Sequence, residues 1–445
     1  MRFSTLEEWL SFQEQLHPVG MDLTLDRIAV VADRLGLRDG TGPRSAIVAG
    51  TNGKGTVATR TAALLQAQGL RVGLFTSPHL LRYNERIRID GDPVSDSALC
   101  RAFEAIDQAR GDDSLTYFEF GALAAAWLFR EAGAAIQVLE VGLGGRLDAV
   151  NSWDADVAAI TAVDLDHQTW LGDTREAIGR EKAGIMRAGR PVVLGELEPP
   201  ASVLEHAERL GAKSLRAGQD FGLEREDGRL LWRFGDRVSE WKVEGAAGML
   251  DGATLQNSAT ALAVVEALGV TEHLTDTTVS LALGTSAPGR LQVLPGEPQW
   301  LLDVAHNVHA VGELARWLGA HPVSGPTVAL VAVMADKERA PMWTALAGHM
   351  DAWVPIPLTL PRALPASTLA DELEAAGQPR VQRLDDARAC MRVAAELAGP
   401  DGRIVVFGSF YTVAAVLELT PELAATALSG CAHVGGPGRG VANAV

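Results

Sequence analysis

The sequence predicts an α/β protein in two parts. Residues 1–288 form a larger domain on a doubly wound, mostly parallel sheet with a small antiparallel appendage, and residues 289–429 form a smaller α/β domain. Three observations carry this reading. Short apolar, β-rich runs alternate with Ala/Leu-rich segments of helical period along most of the chain. The turns that end those runs hold the glycines and polar residues, as expected where a parallel sheet presents its carboxyl ends to a ligand. Finally, 445 residues are too many for one compact core.

The elements follow in order. Leu6, Trp9, Leu10 and Phe12, interleaved with Glu7, Glu8 and Glu14, predict an amphipathic N-terminal helix, without the basic flank and apolar centre of a signal peptide. Residues 46–49 read as a strand that runs into Gly50-Thr51-Asn52-Gly53-Lys54-Gly55-Thr56, with a helix over 57–68. A strand over 71–76 ends at Ser77-Pro78-His79-Leu80; helices are predicted over 95–109 and 119–131. The strand 135–141 breaks into Gly142-Leu143-Gly144-Gly145-Arg146, and the strand 157–163 leads into Asp164-Leu165-Asp166-His167. A helix over 174–186 and a short strand over 191–194 come next. From 214 to 243, alternating segments bounded by Asp227-Gly228 and Gly235-Asp236 predict antiparallel hairpins. Helices near 257–268 and 276–283 precede an interdomain connection at Thr285-Ser286-Ala287-Pro288-Gly289. Strands over 300–304, 328–334, 353–356 and 404–408 build the second domain, which has no phosphate loop of its own. Residues 430–445, rich in Gly and Ala without period, predict a flexible tail.

The segment Gly50 to Thr56 carries the clearest chemistry. Its glycines let backbone N–H groups converge on an anion, the helix N-terminus adds partial positive charge, and Lys54 adds a full one. The Thr56 hydroxyl suits a phosphate-bound Mg²⁺. The pattern is a P-loop but not the ordinary one, because two residues rather than four separate Gly50 from Gly53 and Gly55 intervenes before Thr56. A strand–turn–helix corner whose glycines serve only the turn is the competing reading.

Composition narrows the partners. A net charge of −17 argues against nucleic acid and anionic membranes, so an anionic substrate needs a local basic island. Arg82, Arg86 and Arg88 are candidates; a half-exposed strand with arginines on one face explains them equally. The longest apolar run, 122–129, is far short of the ~20 residues that span a bilayer, and a cytoplasmic protein is expected. Cys100, Cys390 and Cys431 lack the spacing of a disulfide framework or zinc site.

Several motifs then occur in series. Gly50–Thr56 is followed by Ser77-Pro78-His79-Leu80, Thr116-Tyr117-Phe118-Glu119, and Glu140 through Leu147-Asp148. Asp166-His167, Gly179-Arg180-Glu181-Lys182-Ala183-Gly184-Ile185, Pro288-Gly289-Arg290, Asp303-Val304-Ala305-His306-Asn307 and Asp336-Lys337 complete it. This series resembles the folylpolyglutamate synthase family, bifunctional with dihydrofolate synthase in many bacteria, within the Mur-ligase-like ATP-dependent amide ligases. The resemblance covers residues ~20 to 420 and implies a Mur-ligase-like ATP-binding domain followed by a Rossmann-like ligase domain.

The resemblance also implies roles. ATP would be held by Gly50, Thr51, Asn52, Gly53, Lys54, Gly55 and Thr56, with Asn257, Arg290, Asp303 and His306. Two Mg²⁺ ions would use Thr56, Ser77, Glu140, His167 and a carbamylated Lys182. Catalysis would fall to Lys54, Glu140, His167 and Lys182. The acceptor would meet Asp22, Leu23, Thr24, Leu25, Arg82, Thr116, Tyr117, Phe118, Glu119, Leu147, Asp148 and Ala149. Small-molecule substrates (dihydropteroate, folates and L-glutamate) and a monomer are implied as well. Bland readings stand beside some of these: a packed or capping role for His167, a solvated helix lysine for Lys182, and an N-cap for Asn257. The chain departs from the family's usual stretches at Val304, where Gly is common, and at Val150, where Thr is common.

The implied reaction is amide synthesis driven by ATP through an acyl phosphate. A monofunctional folylpolyglutamate synthase, a Mur-type cell-wall ligase and a non-catalytic nucleotide-binding module are the rival readings. A module that binds nucleotide without consuming it would leave Glu140, His167 and Lys182 idle.

Overall fold

The structure, a computed structural model, describes residues 2–20 and 22–429. The predicted tail, with Cys431, lies outside the described residues. The chain divides into two compact units. Described residues up to His79, with Tyr83–Thr285, form the first; Leu80–Arg82 and the described residues from Ser286 form the second.

The first unit opens with α1 (Leu6–Leu16) and α2 (Asp26–Arg34), then β1 (Arg44–Ala49), α3 (Lys54–Ala67) and β2 (Val72–Phe75). Next come β3 (Ile87–Ile89), β4 (Asp92–Pro93), α4 (Asp96–Arg110), α5 (Tyr117–Glu131), β5 (Ile136–Glu140) and β6 (Val157–Ile160). It continues through α6 (Gln168–Leu171), α7 (Arg175–Ala183), β7 (Pro191–Leu194), α8 (Ala201–Leu210) and β8 (Lys213–Arg216). These eight strands form one sheet in the order β4-β3-β2-β5-β1-β6-β7-β8, parallel from β2 to β8 and antiparallel at the β3 and β4 edge. Central β1 alternates faces with a period of two: Ile47 and Ala49 join the core beneath α4 and α5, while Ala46 and Val48 join the core beneath α3. Burial on both faces explains why the central strands read as continuous apolar runs.

A three-stranded antiparallel sheet follows, with β9 (Phe221–Glu226), β10 (Arg229–Phe234) and β11 (Arg237–Lys242). The sequence expectation placed its start at 214. Lys213–Arg216 instead extends the parallel sheet beside β7, because a short half-buried edge strand lacks the apolar run that marks its neighbours. α9 (Gly252–Ala267) and α10 (Asp276–Gly284) close the unit.

The second unit contains β12 (Gln292–Leu294), β13 (Gln299–Leu302), α11 (Val308–Ala320), β14 (Thr327–Val331), α12 (Ala340–Ala345) and β15 (Ala352–Pro355). α13 (Ala366–Ala375), α14 (Ala387–Ala398), β16 (Arg403–Phe407), α15 (Phe410–Leu419) and α16 (Pro421–Ser429) complete it. Its sheet runs β12-β13-β16-β14-β15, with only β12 antiparallel. Leu302, Val328 and Leu330 pack on one face, and Leu301, Ala329 and Val331 on the other. Cys100 and Cys390 are buried and separate. Among the described residues, no helix is long and apolar enough to cross a membrane.

Candidate active site

The phosphate loop joins β1 to α3 at the middle of the large sheet, flanked by the ends of β5 and β6. Gly50 has φ 152° and Gly53 φ 89°, conformations that L side chains rarely adopt. Space is as restrictive as torsion. A Cβ on Gly50 would lie 1.7 Å from Thr161 Oγ1, and one on Gly53 would lie 2.5 Å from Asn257 Oδ1. The segment after β6 buttresses the loop: Thr51 N–H donates to the Ala162 carbonyl at 2.7 Å, and Thr161 Oγ1 donates to the Asn52 carbonyl at 2.6 Å. Asp164 N–H donates to Thr51 Oγ1 at 3.0 Å. These supports were not foreseen from sequence; the one signal was a polar residue, Thr161, ending an apolar strand.

Two amines meet here. Lys54 Nζ donates to the Gly50 carbonyl at 3.0 Å and to the Thr51 carbonyl at 3.2 Å, and Lys182 Nζ donates to the same Gly50 carbonyl at 2.8 Å. Lys182 is 3% exposed on α7. Burial, then the Lys54 charge, hold its amine well below the usual lysine range, while Asp166 and Asp148 act in the opposite direction. The solvated-lysine reading therefore fails.

Asp148 caps the turn after β5, accepting from Leu143 N–H at 2.8 Å and from Val150 N–H at 3.1 Å. Burial pushes its carboxyl up to about 7, against those backbone hydrogen bonds and the Lys54 charge. Ala149 beside it is buried in the core, and Leu147 is half-buried.

Glu140 ends β5, opposite Val48 in register and 1% exposed. Ser77 N–H donates to its Oε2 at 3.0 Å. A carboxylate this deep needs hydrogen bonds and a cation to offset its desolvation. Thr56 is buried in the first turn of α3. Among the described residues, no three His, Cys, Asp or Glu side chains form a metal cluster. The residues expected to hold a metal, Thr56, Ser77 and Glu140, offer hydroxyls and one buried carboxylate, hard oxygen donors that suit Mg²⁺ or Mn²⁺. His167 sits at φ 50° as the exposed N-cap residue of α6, its N–H bonded to Asp166 Oδ1 at 2.9 Å, and no side-chain capping bond forms.

Asn257 is corrected in one respect. α9 begins at Gly252, capped by Asp251, so Asn257 lies in the second turn and is not an N-cap. Buried Arg60 ties α3 to α9 by donating to the Thr254 carbonyl at 2.7 Å and to Ser258 Oγ at 2.8 Å. That tie holds Asn257 against Gly53.

The expected acceptor residues lie on α5 and before α2. Thr116 and Glu119 form a capping box at the start of α5. Arg27 reaches from Asp22, at 2.6 Å, to buried Glu119, at 3.4 Å. Leu23, Thr24 and Leu25 are half-buried beside Asp22. The Phe118 ring abuts Gly142, where a Cβ would approach within 2.6 Å. Tyr117 packs edge-on to Tyr83 at 5.5 Å, and the Arg86 guanidinium covers both rings. The three arginines of the expected basic island do not share one environment. Arg88 is buried with Nε on the Glu85 carbonyl, Arg86 donates to His79 Nδ1 at 2.7 Å, and exposed Arg82 belongs to the second unit. His79 is thereby kept neutral, its pKa lowered to about 4 by burial and by Arg86.

In the second unit, Asp303 follows β13 and organises its own loop, accepting from Leu291 N–H and Ala305 N–H, each at 2.7 Å. Burial raises its carboxyl to about 6. Arg290 lies over the Phe410 ring at 5.4 Å, and His306 Nδ1 lies 2.8 Å from the Val304 carbonyl. Val304 is buried, and its N–H donates to the Gly289 carbonyl at 2.8 Å.

Comparison with known proteins now bears on this geometry. Residues 289–410 match the glutamate ligase domain of the Mur ligases. The dihydrofolate synthase/folylpolyglutamate synthase of Escherichia coli K12 is 40% identical over 423 residues, covering 94% of this chain and 96% of that protein. This chain belongs to the dihydrofolate synthase/folylpolyglutamate synthase family. The E. coli FolC structure with DHPP and ADP superposes with a TM-score of 0.87 at 38% identity, over 95% of this chain and 99% of that one. A bifunctional folylpolyglutamate synthase/dihydrofolate synthase with Mn, AMPPNP and L-glutamate bound gives a TM-score of 0.84 at 42% identity, over 94% and 98%.

Proposed function

We propose that this protein is an ATP-dependent amide ligase that joins L-glutamate to dihydropteroate and to folates through an acyl phosphate. The observation that carries the reading is the convergence of the Lys54 and Lys182 amines on one loop carbonyl, beside a buried carboxylate at the next strand end. Membership of the family supports it, as do the nucleotide and L-glutamate named for the structural relatives.

The loop N–H groups and the α3 N-terminus receive the triphosphate, and Lys54 turns from the loop carbonyls to the γ-phosphate. Thr56, Ser77, Glu140 and His167 would hold a divalent ion, which supplies charge neutralisation on the phosphate when bound. Lys182, whose amine burial holds well below the usual lysine range, is the amine that can add CO₂: its nitrogen bonds the carbon, a proton leaves, and a carbamate anion forms. That anion suits a second ion. A substrate carboxylate oxygen then attacks the γ-phosphorus and ADP leaves; the glutamate nitrogen attacks the acyl carbon and phosphate leaves. Asp22, Leu23, Thr24, Leu25, Arg82, Thr116, Tyr117, Phe118, Glu119 and Leu147 are assigned to the acceptor. Asp148 and Ala149 act by shaping the turn around it. Asn257, Arg290, Asp303 and His306 are assigned to the nucleotide, with Asp303 suited to ribose hydroxyls.

The test offers purified protein ATP, Mg²⁺ and labelled glutamate with dihydropteroate or tetrahydrofolate separately. Labelled product is expected from each acceptor. Product from one alone removes the bifunctional reading, and product from neither removes the ligase reading. Lys54→Ala is expected to lower kcat by at least about 100-fold while keeping the melting temperature, since it removes charge stabilisation made in the transition state.

A further inference from the structure

At the opposite end of the same strands, where β1, β5 and β6 begin, the first unit holds a cavity of about 530 Å³. That volume lies in the range of small-molecule sites. Five arginines line it (Arg38, Arg44, Arg130, Arg187 and Arg190) against two carboxylates, Asp154 and Asp156. On a chain of net charge −17, this local excess of positive charge is unusual.

The lining has two layers. Arg130 and Arg187 are committed to the fold: Arg130 donates to the Leu35 carbonyl at 2.7 Å, while Arg187 pairs with Asp154 and serves the carbonyls of Ile185, Met186 and Trp153. Arg44 donates to the Leu268 carbonyl with one nitrogen only. Arg38 and Arg190 form the rim, held by long contacts of 3.3 Å to Asp33 and 3.4 Å to Asp156. Asp156 also accepts from Ser45 N–H at 2.9 Å through its other oxygen.

The floor is polar and buried. Ser152 is 8% exposed and Gln137 2%, and neither Ser152 Oγ nor Gln137 Oε1 has a hydrogen-bond partner. Gln137 Nε2 is held by Ser45 Oγ at 2.8 Å. Buried orphan polar atoms are costly to leave unpaired, and a ligand or water relieves them. The rim offers guanidinium N–H groups to an oxyanion, Ser152 can donate or accept, and Gln137 Oε1 requires a donor.

We propose that this cavity binds a small multivalent oxyanion that also carries a hydroxyl, with the charge on Arg38, Arg44 and Arg190 and the hydroxyl against Gln137 and Ser152. Phosphate and carboxylate share the recognising chemistry. The site is separate from the phosphate loop and does not rest on the ligase reading.

Isothermal titration at low salt tests it with ribose 5-phosphate, citrate and tricarballylate, the last being citrate without its hydroxyl. The phosphate loop is kept saturated with ADP throughout. At least one of the first two is expected to bind, and which one does names the anion. Arg38→Ala/Arg190→Ala should weaken it by at least about 10-fold with an unchanged melting temperature. Ser152→Ala should weaken it severalfold, whereas Arg101→Ala/Arg209→Ala, of equal charge change at exposed remote positions, should stay within about twofold. Tricarballylate should bind more weakly than citrate wherever citrate binds. No binding below about 10 mM, or equal weakening by the remote pair, overturns the site; tricarballylate matching citrate overturns the hydroxyl contact.

Discussion

Lys182 shows how one side chain changes meaning on folding. In sequence it is a lysine on a charged helical stretch; in the fold it is 3% exposed and shares the Gly50 carbonyl with Lys54. A lysine held below its ordinary range binds fewer protons folded than unfolded. Its contribution to stability is therefore present above the unfolded value of about 10.5 and lost as pH falls through its folded value. Lys182→Met, which fills similar volume without the amine, is expected to abolish ligation without lowering the melting temperature at neutral pH. It should also flatten the rise of stability with pH on the alkaline side. Steady-state assays and melting curves across pH check both; a variant with parental ligation would remove Lys182 from the mechanism. Asp148 has the opposite sign. Its raised carboxyl favours the fold below about 3.8, and that contribution is lost as pH rises through about 7. Asp148→Ala should therefore weaken the dependence of stability on pH between those values, read from denaturant midpoints.

The phosphate loop illustrates what a connection between a strand and a helix demands. Gly50 satisfies two constraints at once, a positive φ and contact with Thr161. Gly50→Ala is expected to destabilise the protein by roughly 2–4 kcal/mol, since Thr161 is short, buried and hydrogen-bonded and cannot swing away. Nucleotide affinity should fall by at least about 10-fold, because the loop N–H groups lose their common aim. Chemical denaturation and ADP titration measure the two effects, and parental values in both would show that the loop tolerates a Cβ. The loop's place between a strand and a helix was legible from the change of period at Gly50. Its buttress from the segment after β6 was not, since Thr161 and Gly50 are far apart in sequence.

The molecule contains two sheets, each with its own pair of buried faces. Leu302 is fully buried in the second unit. Leu302→Ala should cost that unit about 2–5 kcal/mol through lost transfer energy and a residual cavity. Calorimetry is expected to show the second unit's transition moving while the first unit's stays; a uniform shift of one transition would mean the units unfold together. The strand-and-helix alternation foretold both sheets, because strands buried on two faces must be apolar along their length. The edge strands β4, β8 and β12 were missed or misassigned: they are short and at least partly exposed, so no apolar run marks them, whereas β3 matches the half-exposed strand read as the alternative to a basic island.

Local chemistry in the chain was enough to specify the phosphate loop, the parallel sheets and the family, since each depends on residues close in sequence or on a repeating period. Only the folded arrangement decided that Lys182 is buried beside Lys54, that Asn257 lies against Gly53 rather than capping a helix, and that arginines gather where β1, β5 and β6 begin. Burial and the meeting of distant charges are set by which strand ends lie side by side, and no short stretch of sequence encodes that adjacency.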